Sequence, residues 1–233
     1  ERGYRQNFAA AGFPGIENEY NEIDRFFTAA GASGGVVMDL SCGSGFMTRR
    51  LLASQRYQRV LCGDLSPAML AETLANAKRE GLPLPEAIRC DSSRLPIASN
   101  SIDALHAGAA MHCWPRLEDA LAEIFRVLKP GGVFFASTFF VGAYNIINSS
   151  SAPDPATSGF RFFNDEAELE VLLADAGFTS PASLAPSKGP GSTCGGGGAF
   201  VRREGRGCAI IKCIKTGGEG GRNKSDMQRI LRS

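Results

Sequence analysis

Short unbroken apolar runs alternate along this chain with longer stretches in which apolar residues recur every three or four positions. The runs suit strands buried on both faces, and the longer stretches suit helices with one apolar stripe. After a turn at Pro14 and Gly15, the residues Ile16, Tyr20, Ile23, Phe26 and Phe27 fall on one helical face. Val36, Val37, Met38 and Leu40 make the first strand, Gly43 and Gly45 break it, and a helical pattern starts at Phe46. Residues 60–62 are a second strand. Ser66 and Pro67 then open a helix that runs to Gly81, with an N-cap hydroxyl and a proline where no N–H is needed. Residues 87–97 hold a third strand ending in Asp91 and Ser92, and S-I-D-A-L-H-A is the fourth. Leu117, Leu121, Ile124, Val127 and Leu128 form the stripe of a helix that K-P-G-G stops, and V-F-F-A-S-T-F-F is the fifth strand. Residues 141–163 read as a short lid loop, Asn164 caps another helix, and residues 178–184 and 208–214 pair as an antiparallel hairpin at the sheet edge.

This alternation predicts an α/β fold, a doubly wound, mostly parallel seven-stranded sheet with an antiparallel last strand. The domain is expected over 36–215, after a cap-helix region at 1–35. A Gly-rich linker loop at 186–198 interrupts it, and a basic, disordered tail follows at 216–233.

The turn after the first strand is where a ligand is expected. Glycine allows a sharp bend and close approach, and the following helix offers free N–H groups. The dinucleotide fingerprint G-x-G-x-x-G does not fit, because after Gly43 and Gly45 the third position is Thr48. Asp39 precedes the turn, and a carboxylate there repels a pyrophosphate but suits a cationic ligand, held directly or through water. The pattern D-x-x-x-G-x-G resembles the first motif of class I S-adenosylmethionine-dependent methyltransferases, with Ser41 where that family has its first glycine.

Asp64 lies 25 residues after Asp39 at the end of the second strand, where nucleoside-binding α/β folds keep an acid for the ribose hydroxyls. Asp91 is placed to accept from an adenine amino group. Acids in or at the ends of three adjacent parallel strands converge on one crevice, and the dinucleotide reading leaves the third unexplained. F-R-V-L-K-P-G-G-V-F-F closely resembles the helix, turn and fifth strand of the same class, so that 36–140 carries its motifs in order. E-R-G-Y-R-Q-N-F-A-A-A-G-F-P-G and D-A-L-H-A-G-A-A-M-H-C-W-P extend the likeness to residues 1–185. They are similar to a plant and algal chloroplast subgroup distantly related to the ubiquinone/menaquinone C-methyltransferases. The resemblance implies a Rossmann-like fold and S-adenosylmethionine as cofactor, held by Asp39, Ser41, Gly43, Gly45, Asp64, Leu65, Asp91, Ser92 and Ala107. It also implies a chloroplast address whose targeting region is absent from this chain, and a cytoplasmic location otherwise.

Composition narrows the partners. The 233 residues suit one α/β domain with a sizeable core, and the formal net charge of +1 gives no strong overall field toward nucleic acid or membrane. Nine Lys/Arg against three Asp/Glu after Val201 put the basic excess at the C-terminal end. Seven cysteines with no C-x-x-C pair read as reduced thiols, with neither a disulfide framework nor a zinc site, and no run is long enough for a membrane span. Where nucleic-acid methyltransferases carry N/D-P-P-Y/F or a Pro-Cys nucleophile, this chain reads G-A-A-M-H-C-W-P. No nucleic acid is therefore expected, and a small, largely apolar acceptor is. His112 is the candidate general base, with a backbone-bonding role as the even alternative; His106 is expected to be a satisfied core residue and Trp114 packing or pocket wall. No metal is expected. Tyr4, Phe8, Phe13 or Tyr20 would wall the acceptor pocket if the cap helix does more than cover the core. The alternative function is a non-catalytic S-adenosylmethionine-binding scaffold, since cofactor motifs report binding and say nothing of an acceptor.

Overall fold

Four apolar residues in five are what a strand needs when helices cover both faces of its sheet. In the computed structural model, Val36–Leu40 is strand β1, buried along its whole length. The structure describes residues 9–143, 161–180, 200–205 and 207–216. Around β1 the chain runs as α1 (Ile16–Ala29), β1, α2 (Phe46–Ala53), β2 (Arg59–Asp64), α3 (Pro67–Arg79), β3 (Glu86–Arg89) and β4 (Ile102–Ala107). A short 3-10 helix (Met111–Cys113) follows, then α4 (Leu117–Val127), β5 (Leu128–Phe139), α5 (Glu166–Asp175), β6 (Phe178–Thr179), β7 (Phe200–Glu204) and β8 (Cys208–Lys215). The sheet order is β3-β2-β1-β4-β5-β8-β6. The first five strands are parallel, and β8 runs antiparallel to β5.

The expected seven-strand path is therefore present, with an eighth strand added to it. β7 pairs with Cys208 to Lys212 of β8, and β6 with the end of the same strand, both antiparallel. The hairpin partner of β8 is thus β7, whereas β6 contributes only two residues; residues 181–184 of the expected strand lie outside the described residues. β3 also ends earlier than its apolar run suggests. The Asp91 carboxylate accepts from Ser93 N at 2.9 Å, and that turn ends the pairing. K-P-G-G is a bulge at the start of β5 and does not separate helix from strand: Ile102 pairs with Leu128, and Ala104 next pairs with Val133. Ser66 caps α3 with Pro67 at its first position as expected. Asp165, not Asn164, caps α5, because its carboxylate accepts from Glu168 N at 2.9 Å, while Asn164 donates to the Glu168 side chain.

Alternation along the strands divides the core in two. Val37, Ala104, Val133, Phe135 and Phe139 face α1 and α2, where Ile23, Phe26, Phe27, Met47 and Leu51 meet them. Met38, Leu40, Leu105, Phe134 and Ala136 face α4 and α5 through Leu117, Leu121, Ile124, Leu169 and Leu173. Each of the larger side chains among these contributes roughly 1.5–3 kcal/mol on leaving water. Among the described residues no helix is long and apolar enough to cross a membrane, and all six cysteines are free. The linker 186–198, residues 217–233 of the tail, Tyr4, Phe8 and the Ser/Pro part of the lid lie outside the described residues.

Candidate functional site

The sheet order reverses between β1 and β4, so the connections leaving their carboxyl ends part to opposite sides and open a crevice there. The turn that leaves β1 lies in this crevice. Ser41, Gly43 and Gly45 all adopt left-handed backbone, with φ of 58, 54 and 78°. Gly45 caps α2, and a Cβ there would stand 2.6 Å from Thr73 Cγ2, so helix and turn pack this closely only with glycine. At Gly43 a Cβ would meet nothing within 4 Å, leaving the turn open on that side.

Helix α3 braces the turn from behind. Thr73 Oγ1 donates to Gly43 O at 2.8 Å, and Asn76 Nδ2 donates to Ser44 O at 3.0 Å. Sequence reading missed both; the available signal is that Thr73 falls on the Leu70–Ala77 stripe, where a hydroxyl must find a partner. Ser41 is held from across the crevice by the Trp114 indole, which donates to its Oγ.

Asp64, at the end of β2, closes onto this turn: one carboxylate oxygen accepts from Gly43 N and the other from Ser66 N, each at 2.9 Å. Each oxygen has two acceptor sites, so both keep capacity for hydroxyl donors. Leu65 beside it is 65% exposed. Asp91 accepts from Ser93 N and Oγ, and Arg116 at the start of α4 reaches both Asp91 and Ser93. The Ser93 hydrogen bonds, with the Arg116 guanidinium, hold the Asp91 carboxyl below its usual range. Ser92 is half-buried next to it, and Ala107 is buried at the end of β4. An open glycine turn, a carboxylate with spare acceptor sites, an exposed leucine and a second acid fit an adenosyl group.

Asp39 takes a different place from the one its motif suggests. It is 2% exposed, and its oxygens are taken by Thr48 Oγ1 at 2.6 Å and His106 Nδ1 at 2.8 Å. It faces the helices α1 and α2, and secures the turn from below. His106 is buried in the core as expected, but only half satisfied: Nδ1 meets Asp39, while Nε2 has no hydrogen-bond partner among the described residues.

His112, on the 3-10 helix, packs against Phe139 and Phe162 at ring distances of 5.2 and 5.7 Å. Burial pushes its imidazole down to about 4, so the ring is neutral near pH 7. Its carbonyl accepts from Arg161 N at 2.8 Å, and Val141 N donates to Phe163 O, so the residues before α5 strap the end of β5 to the 3-10 helix. Trp114 is 6% exposed, both packing and a polar tie. Among the described residues, no group of three or more His, Cys, Asp or Glu could hold a metal ion.

With this geometry in view, the chain is similar to known proteins as follows. Residues 38–136 match a family described as a methyltransferase domain. An uncharacterized chloroplastic methyltransferase of Arabidopsis thaliana is 41% identical over 189 residues, 77% of this chain and 52% of the relative. A ubiquinone/menaquinone biosynthesis C-methyltransferase of Bartonella quintana is 33% identical over 105 residues, 44% of this chain and 40% of the relative. The chain thus spans about half or less of the length of these relatives. A crystal structure of a SAM-dependent methyltransferase from Aquifex aeolicus superposes with a TM-score of 0.60 at 16% identity, covering 87% of this chain and 99% of that one, which shows the shared fold.

Proposed function

We propose that the chain, whose residues 38–136 match a methyltransferase domain, uses S-adenosylmethionine and transfers the cofactor's methyl group to a small, largely apolar acceptor. When bound, S-adenosylmethionine supplies an electrophilic methyl on a sulfonium whose leaving group is a neutral thioether. The chain's own residues then have three tasks. Asp64 would accept from the ribose hydroxyls, Asp91 and Ser92 would hold the adenine edge, and Leu65 would pack on the ring. Gly43, Gly45 and Ser41 shape the turn, with Asp39 fixing β1 beneath it, and Ala107 at the end of β4 would help to hold the cofactor. His112, unprotonated near pH 7 although burial makes it a weak base, is the residue proposed to take the proton that an acidic O–H or C–H acceptor must lose. The observation that carries this reading is the Asp64 carboxylate bonded to Gly43 N with acceptor sites to spare. The acceptor class rests on the aromatic faces of Phe139 and Phe162 around His112. Orientation in a dry pocket supplies most of the rate, roughly 7–11 kcal/mol in well-oriented systems.

The chloroplast is the proposed location, in keeping with the Arabidopsis relative. Calorimetric titration of the chain and of Asp64→Ala with S-adenosylmethionine and S-adenosylhomocysteine tests the site. Micromolar binding weakened tenfold or more in the variant, about 1.4 kcal/mol, is expected; no binding to the folded chain overturns the reading. Loss of labelled methyl to a panel of small phenols separates enzyme from scaffold, since a scaffold binds both adenosyl ligands and releases no methyl.

A further inference from the structure

Glu19 lies within the apolar stripe of α1, three residues after Ile16 and four before Ile23, and is 1% exposed. A carboxylate so placed needs partners. Its Oε1 accepts from Ser137 Oγ on β5 at 2.7 Å and lies 3.7 Å from His106 Nε2 on β4. That nitrogen has no hydrogen-bond partner among the described residues, so the Glu19 charge is what it faces. The other ring nitrogen meets Asp39 on β1 at 2.8 Å. Gly108 passes over the imidazole so closely that a Cβ would stand 2.8 Å from its Cε1. Ser137 Oγ in turn accepts from Ala109 N at 2.8 Å, at a corner where alanine holds a left-handed φ of 48°. That corner leads from β4 into the 3-10 helix bearing His112.

We propose that Glu19 and His106 are positioning residues: a buried carboxylate–imidazolium–carboxylate chain bolts α1 to β4 and β1 and, through Ser137, holds the Ala109 corner that presents His112. The proton on His106 sets whether the cap helix is seated. This goes beyond methyl transfer, because it concerns how the cap helix and the Ala109 corner are held and not the transfer itself.

Burial by itself would push His106 down, but the Asp39 hydrogen bond and the nearby Asp39 and Glu19 carboxylates outweigh it and hold the imidazole up at about 9. Asp39 faces it from β1 and Glu19 from α1, while β5 presents the Phe135 ring at 6.0 Å. On β8, burial and the Glu19 charge push the Cys208 thiol far above its ordinary range, so it stays neutral. Further along α1, Glu22 is paired with Arg202 and Lys212. Since the folded value of His106 lies above the ordinary 6.5, the latch is complete below about 6.5 and is lost as pH rises through about 9.

Amide hydrogen exchange between pH 6 and 10, with NMR titration of the His106 ring, tests this on the whole chain. Protection of residues 16–29 and of the Ala109 and Ala110 amides should fall at least tenfold beyond the intrinsic pH effect, with a midpoint near 9 shared by the ring. The amides of β2 and α3 should keep theirs. In the near-isosteric Glu19→Gln the same two segments should be tenfold less protected already at pH 7, and the ring should titrate lower. A ring that titrates at or below 6.5 in the unaltered chain overturns the proposal, as does a loss of protection that is absent or uniform over the sheet. The readout uses no cofactor, so its failure leaves the methyl-transfer reading standing.

Discussion

The Trp114 indole N–H donates to Ser41 Oγ at 3.0 Å, joining the 3-10 helix side of the crevice to the first residue after β1. Ser41 holds a left-handed φ of 58°, which costs a non-glycine residue roughly 1–2 kcal/mol. The hydrogen bond offsets part of that strain, and together they explain how serine occupies a position where glycine is the easier choice. Trp114→Phe should weaken S-adenosylhomocysteine binding three- to tenfold by calorimetry, because the turn loses its anchor. Ser41→Gly removes anchor and strain together and should keep affinity within threefold. Equal loss in both variants would mean that the hydroxyl itself touches the ligand.

Gly45→Ala places a Cβ 2.6 Å from Thr73 Cγ2 at a φ of 78°. Clash and strain combine, and the variant should lose about 2–3 kcal/mol of stability in urea unfolding. Cofactor affinity should fall further than the stability loss explains, since Thr73 also holds Gly43 O. A variant of unaltered stability would show that α3 yields freely.

His112 is pushed down to about 4 by burial. Its folded value lies below the ordinary 6.5, so the unfolded chain takes up a proton first. Stability present above pH 6.5 is lost as pH falls toward 4, by up to about 3 kcal/mol. His112→Phe should remove that share: the drop in unfolding free energy between pH 7 and 4.5 should be smaller than in the unaltered chain by about 1–3 kcal/mol. An equal drop would mean that the ring is solvated.

At the far end of the sheet Lys215 Nζ donates to Phe125 O and Leu128 O, each at 2.8 Å, and to Asn100 Oδ1 at 2.7 Å. It satisfies carbonyls at the end of α4 and complements the helix dipole. Lys215→Met should cost about 3 kcal/mol in urea unfolding while S-adenosylhomocysteine affinity stays within twofold. A change in affinity would show that this end of the sheet is coupled to the crevice.

The parts of this protein legible in its sequence are those set by neighbours along the chain. Val36 to Leu40, the glycines after it and the helical stripe from Phe46 specify strand, turn and helix within 20 residues, because backbone preference and apolar periodicity act locally. Asp64 and Asp91 were found the same way, as acids at or just past strand ends, and Ser66 as a cap. β7 was not. F-V-R-R-E carries little apolar signal, and only pairing along Cys208 to Lys212 makes it a strand.

Partners of buried polar groups were beyond the sequence's reach for a related reason. Trp114 lies 73 residues from Ser41, His106 lies 67 from Asp39 and Glu19 lies 118 from Ser137. No periodicity links such pairs; the order β2-β1-β4-β5 brings them together. The sequence by itself determined the α/β class, the glycine turn after β1 and the acids Asp64 and Asp91 near the ends of β2 and β3. Tertiary structure alone decided that Asp39 turns inward to a histidine and that a carboxylate on the cap helix meets the same ring, because a buried charge is stable only beside whatever the sheet order sets against it.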